Sequence, residues 1–259
     1  MSSKKRVVAT TSVACFIFAL CAVASSAPTF ASDSKTPRPS QSATSSPMPS
    51  KLGMARKQMV APFGANAAAV DGCAKTKSTA HYPIRVRIPD TKVAPTDRTF
   101  TLNTNCGTIT FTAFGKKAPV TVTAMTFLAK AGYFEHSLCH RISTSGQYAL
   151  YCGDPTATGS GGPMWTYDSE NLPPNDWNNY PAGTIAMYNS DIDSSAHATN
   201  GSQFIIFYKD TTRLPNYTIW GQVTSGLDIV KKVAAAGVLG GGTDGTPKQT
   251  IAIESVSVK

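Results

Sequence analysis

The sequence predicts an all-β dominated fold, a closed eight-stranded antiparallel barrel capped by two α-helices. Eight short segments between residues 98 and 259 show strand patterns, whereas only two show helical ones. Two helices are too few to connect the strands of a parallel sheet. A closed antiparallel barrel removes its own edges and leaves the helices to cover its ends. The hydrophobic fraction of 41% is enough to fill such a core.

The first elements of the barrel are a hairpin and a helix. Alternating polar and apolar residues at Thr99–Leu102 and Ile109–Thr112 flank an Asn-Cys-Gly turn, which predicts a β-hairpin. After Pro119, a helix is predicted over Val120–Lys130, and Gly132 is placed to end it.

Short strands and a second helix complete the predicted barrel. The strands are expected at Cys139–Ile142, Tyr148–Cys152, Thr184–Tyr188, Gln203–Tyr208, Ile219–Val223 and Thr250–Val258. The second helix is expected at Leu227–Ala236, ended by Gly237. Residues 153–182 form a long loop rich in Gly and Pro, and loops of this length are usually functional or strained.

The net charge of +9 is concentrated at the N-terminus. Residues 1–60 hold eight basic side chains against one acidic side chain, whereas the rest of the chain holds 16 basic and 14 acidic ones. The folded part is therefore nearly neutral. It lacks the basic face of a nucleic-acid-binding domain, and we expect no nucleic-acid partner.

Residues 1–31 have the pattern of a secretory signal peptide. Lys4–Arg6 precede an uncharged, mainly apolar run over Val7–Ala24, and small residues lead to a cleavage site after Ala31. The alternative is a retained membrane anchor, which the polar residues Thr10–Ser12 disfavour. We predict a secreted or cell-surface protein with no stable membrane span after cleavage.

Three further regions follow the signal peptide. Residues 32–60 are rich in Ser, Pro and Lys and predict a disordered linker. Residues 61–97 are interpreted as an N-terminal extension packed on the main domain, and the alternation in His81–Pro89 suggests a strand there. Residues 98–259 form the barrel domain.

Four cysteines remain after the signal peptide. In an oxidising compartment Cys73, Cys106, Cys139 and Cys152 favour two disulfides, with three connectivities open. The alternative is a metal site that uses Cys139, His140 and Cys152. No C-x₂-C pair supports it, so no metal is predicted.

Several common catalytic patterns do not occur. There is no G-x-S-x-G elbow, no H-E-x-x-H pair, and no lysine after the glycines of residues 159–162. The sequence therefore gives no indication of hydrolysis, phosphate binding or redox chemistry.

Dispersed segments share a pattern in their identity, order and spacing. They are Cys139–Ile142, Cys152–Pro163, Glu170, Gly183–Met187, Asn200–Phe204, Trp220–Val223 and Gly226–Asp228. Together they resemble the cyclophilins, the cyclosporin-binding peptidyl-prolyl cis-trans isomerases, and are most similar to the exported actinobacterial branch. The resemblance covers residues 98–259.

This resemblance implies a groove on the outer face of the barrel and chemistry that needs no cofactor. Arg141 corresponds to the catalytic arginine, a permanent cation with several donors in one plane. Gln203 corresponds to the glutamine that bonds the substrate backbone. Outside these motifs, Arg141 would be interpreted as a solvated edge charge or a structural ion pair, and Gln203 as a rim side chain. Further substrate-binding positions are implied at Tyr148, Ala149, Asn189, Ile205, Leu214 and Tyr217.

Several groove positions depart from the family pattern. The unusual side chains are Ala149, Tyr151, Tyr188, Ile205, Arg213 and Tyr217. The smaller side chains at Ala149 and Ile205 remove apolar area worth on the order of 1–3 kcal/mol, which predicts a reshaped groove and reduced activity. Arg213 replaces a tryptophan, so weak cyclosporin inhibition is expected. Two extra residues after Arg141 leave the alignment over Tyr148–Tyr151 open to a shift of one position.

We therefore expect a monomeric peptidyl-prolyl isomerase that acts on proline-containing segments of exported proteins. The alternative is a non-catalytic module that binds proline-containing peptides through a reshaped pocket. A third hypothesis is tethering of a polyanion by the basic linker, which would depend steeply on salt. Trp165 is expected near the groove without taking part in the chemistry, or else in the core.

Overall fold

A computed structural model of the protein describes residues 69–89, 96–189 and 200–259. The predicted signal peptide, the linker and the first part of the extension lie outside the described residues. The described elements are strands β1 (Arg98–Thr104), β2 (Gly107–Ala113), β3 (Ser137–Leu138), β4 (Arg141–Ser145), β5 (Gln147–Cys152), β6 (Thr184–Met187), β7 (Phe204–Phe207), β8 (Ile219–Ser225), β9 (Asp244–Gly245) and β10 (Ala252–Val258), with helices α1 (Pro119–Lys130) and α2 (Leu227–Ala236).

The strands form one antiparallel sheet in the order β3-β10-β1-β2-β8-β6-β7-β5-β4-β9. The predicted antiparallel, all-β architecture with two helices is confirmed, but closure with eight strands is wrong. The sheet is an open half-barrel of ten strands, and no ladder joins β3 to β9 in the described part. Each edge strand has only two residues, so few backbone groups are left unpaired and closure is not needed to protect them.

The predicted hairpin is confirmed as β1 and β2. Its register places Phe100 opposite Phe111, and both rings are buried. They stack with centroids 5.1 Å apart, and the Trp220 ring meets each of them edge-on. Gly107 begins β2 with φ +117°, a conformation that L side chains rarely adopt. The inward-facing residues of the two alternating strands thus form part of the main core.

Both helices lie close to their predicted bounds. Helix α1 begins one residue early because Pro119 occupies its first turn, where no N–H is needed. Helix α2 has the predicted bounds and buries Val230, Val233 and Ala234. Neither helix in the described ranges has the length and apolar character that a membrane span requires.

The cysteines join as Cys73–Cys106 and Cys139–Cys152, one of the three open connectivities. The second disulfide consumes both thiolates that the alternative metal site would use with His140. Within the described ranges, no group of three or more His, Cys, Asp or Glu residues could hold a metal ion.

Residues 69–89 contact the barrel without adding a strand ladder to it. Ala80 is fully buried, and Ile84 and Val86 pack against the main core while the arginines between and after them are exposed. Residues 82–89 form no strand. The alternation in His81–Pro89 thus reflects one-sided packing on the core, and the prediction of a strand there is wrong.

Candidate active site

The β4–β5 hairpin positions Arg141, which begins β4 opposite Tyr151. The guanidinium Nε and Nη2 donate to Oδ1 and Oδ2 of Asp244 at 2.7 and 2.9 Å. Its Cζ lies 4.7 Å from the centroid of the Tyr151 ring. A bidentate carboxylate and an aromatic face together restrict the orientation of the guanidinium. The side chain remains 37% exposed, so it can still meet a ligand.

Asp244 also stabilises the protonated, charged form of Arg141. The hydrogen bond from the guanidinium to this carboxylate raises the pKa of Arg141. The side chain is therefore a permanent cation that presents a planar set of donors.

One cleft lies beside this hairpin, and a second cleft adjoins the first. The Arg141 cleft has a volume of about 370 Å³ and is lined by His140, Arg141, Tyr151, Ala157, Thr158, Gly159, Tyr188, Gly245 and Thr246. The Gln203 cleft has a volume of about 300 Å³ and is lined by Gly159, Ser160, Gly161, Gly162, Pro163, Trp165, Thr166, Tyr188, Gly201, Ser202 and Gln203. Gly159 and Tyr188 line both clefts, so an extended ligand passing from one to the other crosses the Tyr188 ring.

Gln203 is held at the floor of its cleft by the glycine-rich loop. Its Nε2 donates to the carbonyls of Gly159 and Gly161 at 3.0 and 2.8 Å. The buried Oε1 accepts no hydrogen bond from the described residues. A buried acceptor without a partner is costly, and the N–H of a bound ligand would satisfy it.

The carboxylate of Asp154 shapes the loop that separates the clefts. Its Oδ1 accepts from the backbone N–H and the hydroxyl of Thr156, both at 2.7 Å. Its Oδ2 accepts from the N–H groups of Thr158, Gly159 and Gly161 at 3.1, 2.8 and 3.0 Å. A Cβ on Gly161 would collide with this carboxylate.

The charge state of Asp154 follows from these contacts. Burial opposes ionisation, but the hydrogen bonds from Thr156 and Gly161 outweigh it, so the pKa of Asp154 is lowered. We did not predict this residue as part of the site. Its signal is an Asp followed by Thr and Gly residues, a pattern typical of a side chain that caps its own loop.

His140 is buried between Arg141 and this loop. Its Nδ1 has no hydrogen-bond partner within the described ranges. Burial, together with the positive charge of Arg141, lowers the pKa of His140 to about 4 in spite of Asp154. The imidazole is therefore neutral at physiological pH.

Acidification is expected to destabilise the protein through His140. In the unfolded chain its pKa is about 6.5, so between that value and about 4 the unfolded state binds more protons. The free energy of unfolding should fall across this window by up to about 3 kcal/mol. Urea unfolding at several pH values measures it, with His140→Gln as the control. An equally steep pH dependence in His140→Gln would contradict the assignment.

The predicted substrate-binding residues divide into two groups. Ala149, Ile205 and Tyr217 belong to a second apolar cluster, separate from the main core, which also contains Tyr151, Tyr180, Ala186 and Phe207. Tyr188 covers this cluster, with its ring 6.2 Å from Tyr217 and 5.6 Å from Tyr151. Ile205 is only 1% exposed, and neither Ala149, Ile205 nor Tyr217 lines the two clefts.

The remaining predicted residues, Tyr148, Asn189 and Leu214, do not line these clefts. Tyr148 packs against the main core and contacts the Tyr208 ring, since alternate residues of a strand face opposite sides. The Asn189 side chain donates to the carbonyl of Asn216 at 2.9 Å. Leu214 is 59% exposed. Of the predicted set, the structure brings Arg141 and Gln203 to neighbouring clefts and places Ala149, Ile205 and Tyr217 together in a separate cluster.

The antiparallel half-barrel with two helices agrees with the comparisons with known proteins. The family model described as "Cyclophilin type peptidyl-prolyl cis-trans isomerase/CLD" matches residues 99–258, and the chain belongs to this family.

The chain is similar to "Probable peptidyl-prolyl cis-trans isomerase B" of Mycobacterium tuberculosis, with 37% identity over 186 residues, which is 66% of this chain and 58% of that protein. The protein of the same name from Mycobacterium leprae is 36% identical over 66% of this chain and 61% of its own length. The chain thus spans about three fifths of these relatives. A crystal structure of a Cryptosporidium parvum cyclophilin type peptidyl-prolyl cis-trans isomerase supports the fold alone, with a TM-score of 0.54 and 23% identity over 63% of this chain and 98% of that one.

Proposed function

We propose that this protein is a peptidyl-prolyl cis-trans isomerase that acts on proline-containing segments of exported proteins, as a monomer and without a metal or cofactor. The observation that carries the proposal is the fixed guanidinium of Arg141 at an open cleft. The two disulfides are compatible with an oxidising compartment outside the cytoplasm, which supports export.

Arg141 is proposed to stabilise the twisted amide. Rotation about an X–Pro bond meets a barrier of about 18–20 kcal/mol because the nitrogen lone pair is delocalised into the carbonyl. In the twisted state this lone pair is localised on nitrogen and accepts a hydrogen bond. Asp244 uses two of the five N–H donors of Arg141, which leaves up to three for the substrate. A bond that strengthens only in the twisted state lowers the barrier.

Asp244 and Tyr151 are proposed to position Arg141. A free arginine side chain samples many rotamers, and ordering it costs free energy at each turnover. The carboxylate and the ring hold the guanidinium before the substrate arrives. Such preorganisation is how an enzyme lowers the entropic part of a barrier.

Gln203 is proposed to bind the peptide backbone. Its amide group is oriented by two loop carbonyls, and its buried Oε1, which has no partner among the described residues, would accept from a backbone N–H of a peptide that reaches it. The further residues proposed to bind the substrate are Tyr148, Ala149, Asn189, Ile205, Leu214 and Tyr217. Because Ala149 and Ile205 are buried beneath aromatic rings, a proline ring finds less exposed apolar surface there, which supports reduced activity.

The second candidate function is a non-catalytic module that binds proline-containing peptides. The burial of Ile205 favours it over full activity. Such a module would bind the peptide through the clefts without strengthening any contact in the twisted state.

Exchange NMR on an Ala-Pro peptide distinguishes the two functions. We expect the wild-type full chain to increase the cis-trans exchange rate above the uncatalysed rate, whose time constant is about 10–100 s. Saturable binding, measured by titration, without faster exchange would favour the binding module. An Ala-Ala peptide serves as the control. A protein that neither binds nor accelerates exchange would overturn both functions.

A further inference from the structure

We infer that the N-terminal extension contributes to peptide binding. Residues 69–89 hold Trp165 in position, and Trp165 forms one wall of the Gln203 cleft. The inference rests on the proposed function, because it takes an extended peptide to be the ligand of that cleft. The segment precedes the part of the chain that the family model matches, which begins at residue 99. The affinity for a long peptide would then depend on residues outside the family domain.

One end of the segment is anchored to the β1–β2 turn. The Cys73–Cys106 disulfide joins the two covalently. Beside it, the N–H of Ala74 donates to the Asn105 carbonyl at 2.7 Å, and Asn105 Nδ2 donates to the Ala74 carbonyl at 2.9 Å. The chain therefore leaves this turn in a defined direction.

A polar contact with β10 continues the anchor. The hydroxyls of Thr76 and Ser78 donate to the carboxylate of Glu254, which also contacts Nδ1 of His136 at 3.2 Å. Burial raises the pKa of Glu254, but the hydrogen bonds from Thr76, Ser78 and His136 outweigh it and lower the pKa. The carboxylate is thus ionised, and bonds to an ionised acceptor are the stronger kind.

The other end of the segment bonds to the loop that forms the clefts. The N–H of His81 donates to the carbonyl of Pro155 at 2.8 Å, next to Asp154. The indole Nε1 of Trp165 donates to the carbonyl of Val86 at 2.9 Å. The extension therefore contacts this loop at residue 155 and again at residue 165.

The wall of the Gln203 cleft depends on the second contact. Trp165 is half-buried, and Val86, its acceptor, packs against the main core. Without that acceptor the indole N–H would lose its partner, and the ring, although still packed against the main core, would lose the contact that fixes its orientation at the cleft wall. This change would not affect the affinity for a peptide confined to the Arg141 cleft, whereas it would lower the affinity for a peptide that spans both clefts.

Paired affinities test the inference. Dissociation constants are measured by titration for a blocked Ala-Pro dipeptide and for a peptide of about eight residues, about 26 Å long when extended. In Trp165→Phe, which keeps an aromatic ring but deletes the donor, the preference for the long peptide is expected to fall about fivefold. Trp177→Phe, at an exposed tryptophan of the same long loop, should keep the wild-type preference.

A second variant tests the anchor. The Cys73→Ser/Cys106→Ser chain is expected to exchange the indole N–H of Trp165 faster by NMR and to show the same loss of long-peptide preference. An unchanged preference in Trp165→Phe would overturn the inference while leaving isomerase activity, measured by exchange on the wild type, intact. A wild type that binds neither peptide would overturn the inference and the proposed function together.

Discussion

Replacing Arg141 by alanine is expected to lower kcat for X–Pro isomerisation by about 10²–10³-fold, the usual loss when one donor that stabilises a transition state is removed. The dissociation constant of the same peptide should change much less, because the lost hydrogen bond is strong only in the twisted amide. Exchange NMR at saturating peptide measures kcat, and titration measures binding.

The matched control for this variant is Arg98→Ala. Arg98 lies on β1, separated from β4 by five strands in the sheet order, so its removal changes the net charge equally without touching the clefts. An equal loss of kcat in both variants would show a general charge effect. A wild-type kcat in Arg141→Ala would rule out the proposed mechanism.

Asp244 variants separate positioning from catalysis. Asp244→Asn keeps one acceptor for the guanidinium, whereas Asp244→Ala keeps none, so kcat should decrease from wild type to Asn to Ala. Both variants retain the donors of Arg141, so the kcat of each should be higher than that of Arg141→Ala. If Asp244 instead competes with the substrate for Arg141, Asp244→Ala would raise kcat, and the positioning role would be wrong.

The local elements were predictable because their signals are local. The bounds of α2 follow from its apolar spacing and from Gly237, and the β1–β2 hairpin follows from alternation around a short turn. Barrel closure is a relation between distant edges. Strands β3 and β9 contain only two residues each, too few for any alternation to be read.

The sequence could indicate residues of the candidate site only where they belong to short motifs. Arg141 and Gln203 stand in such motifs, but Asp244 lies 103 residues from Arg141, and no sequence pattern links the two. The burial of Ile205 depends on how Tyr188 and Tyr217 stack, which spacing along the chain does not determine. Asp154 is different, because its hydrogen-bond partners follow it closely in the chain, so the sequence pattern of the loop could have identified it.

Replacing Asp154 by asparagine is expected to lower the free energy of unfolding by about 3 kcal/mol or more. The carboxylate is buried and accepts from the backbone N–H groups of Thr156, Thr158, Gly159 and Gly161. An amide would place an N–H₂ group against some of these donors, so buried N–H groups would lose their acceptor. Urea denaturation measures the loss.

The same substitution should also weaken peptide binding. The carbonyls of Gly159 and Gly161 orient Gln203, so a disordered loop releases the side chain proposed to hold the peptide backbone. Asp168→Asn removes an exposed carboxylate from the same long loop and is the control for charge. The lowered pKa of Asp154 adds a pH test, because its stabilisation is complete above the unfolded value of about 3.9 and is lost as the pH falls below it. If both variants unfold at the same urea concentration, the Asp154 carboxylate does not hold the loop, and the two clefts must take their shape from the rest of the barrel.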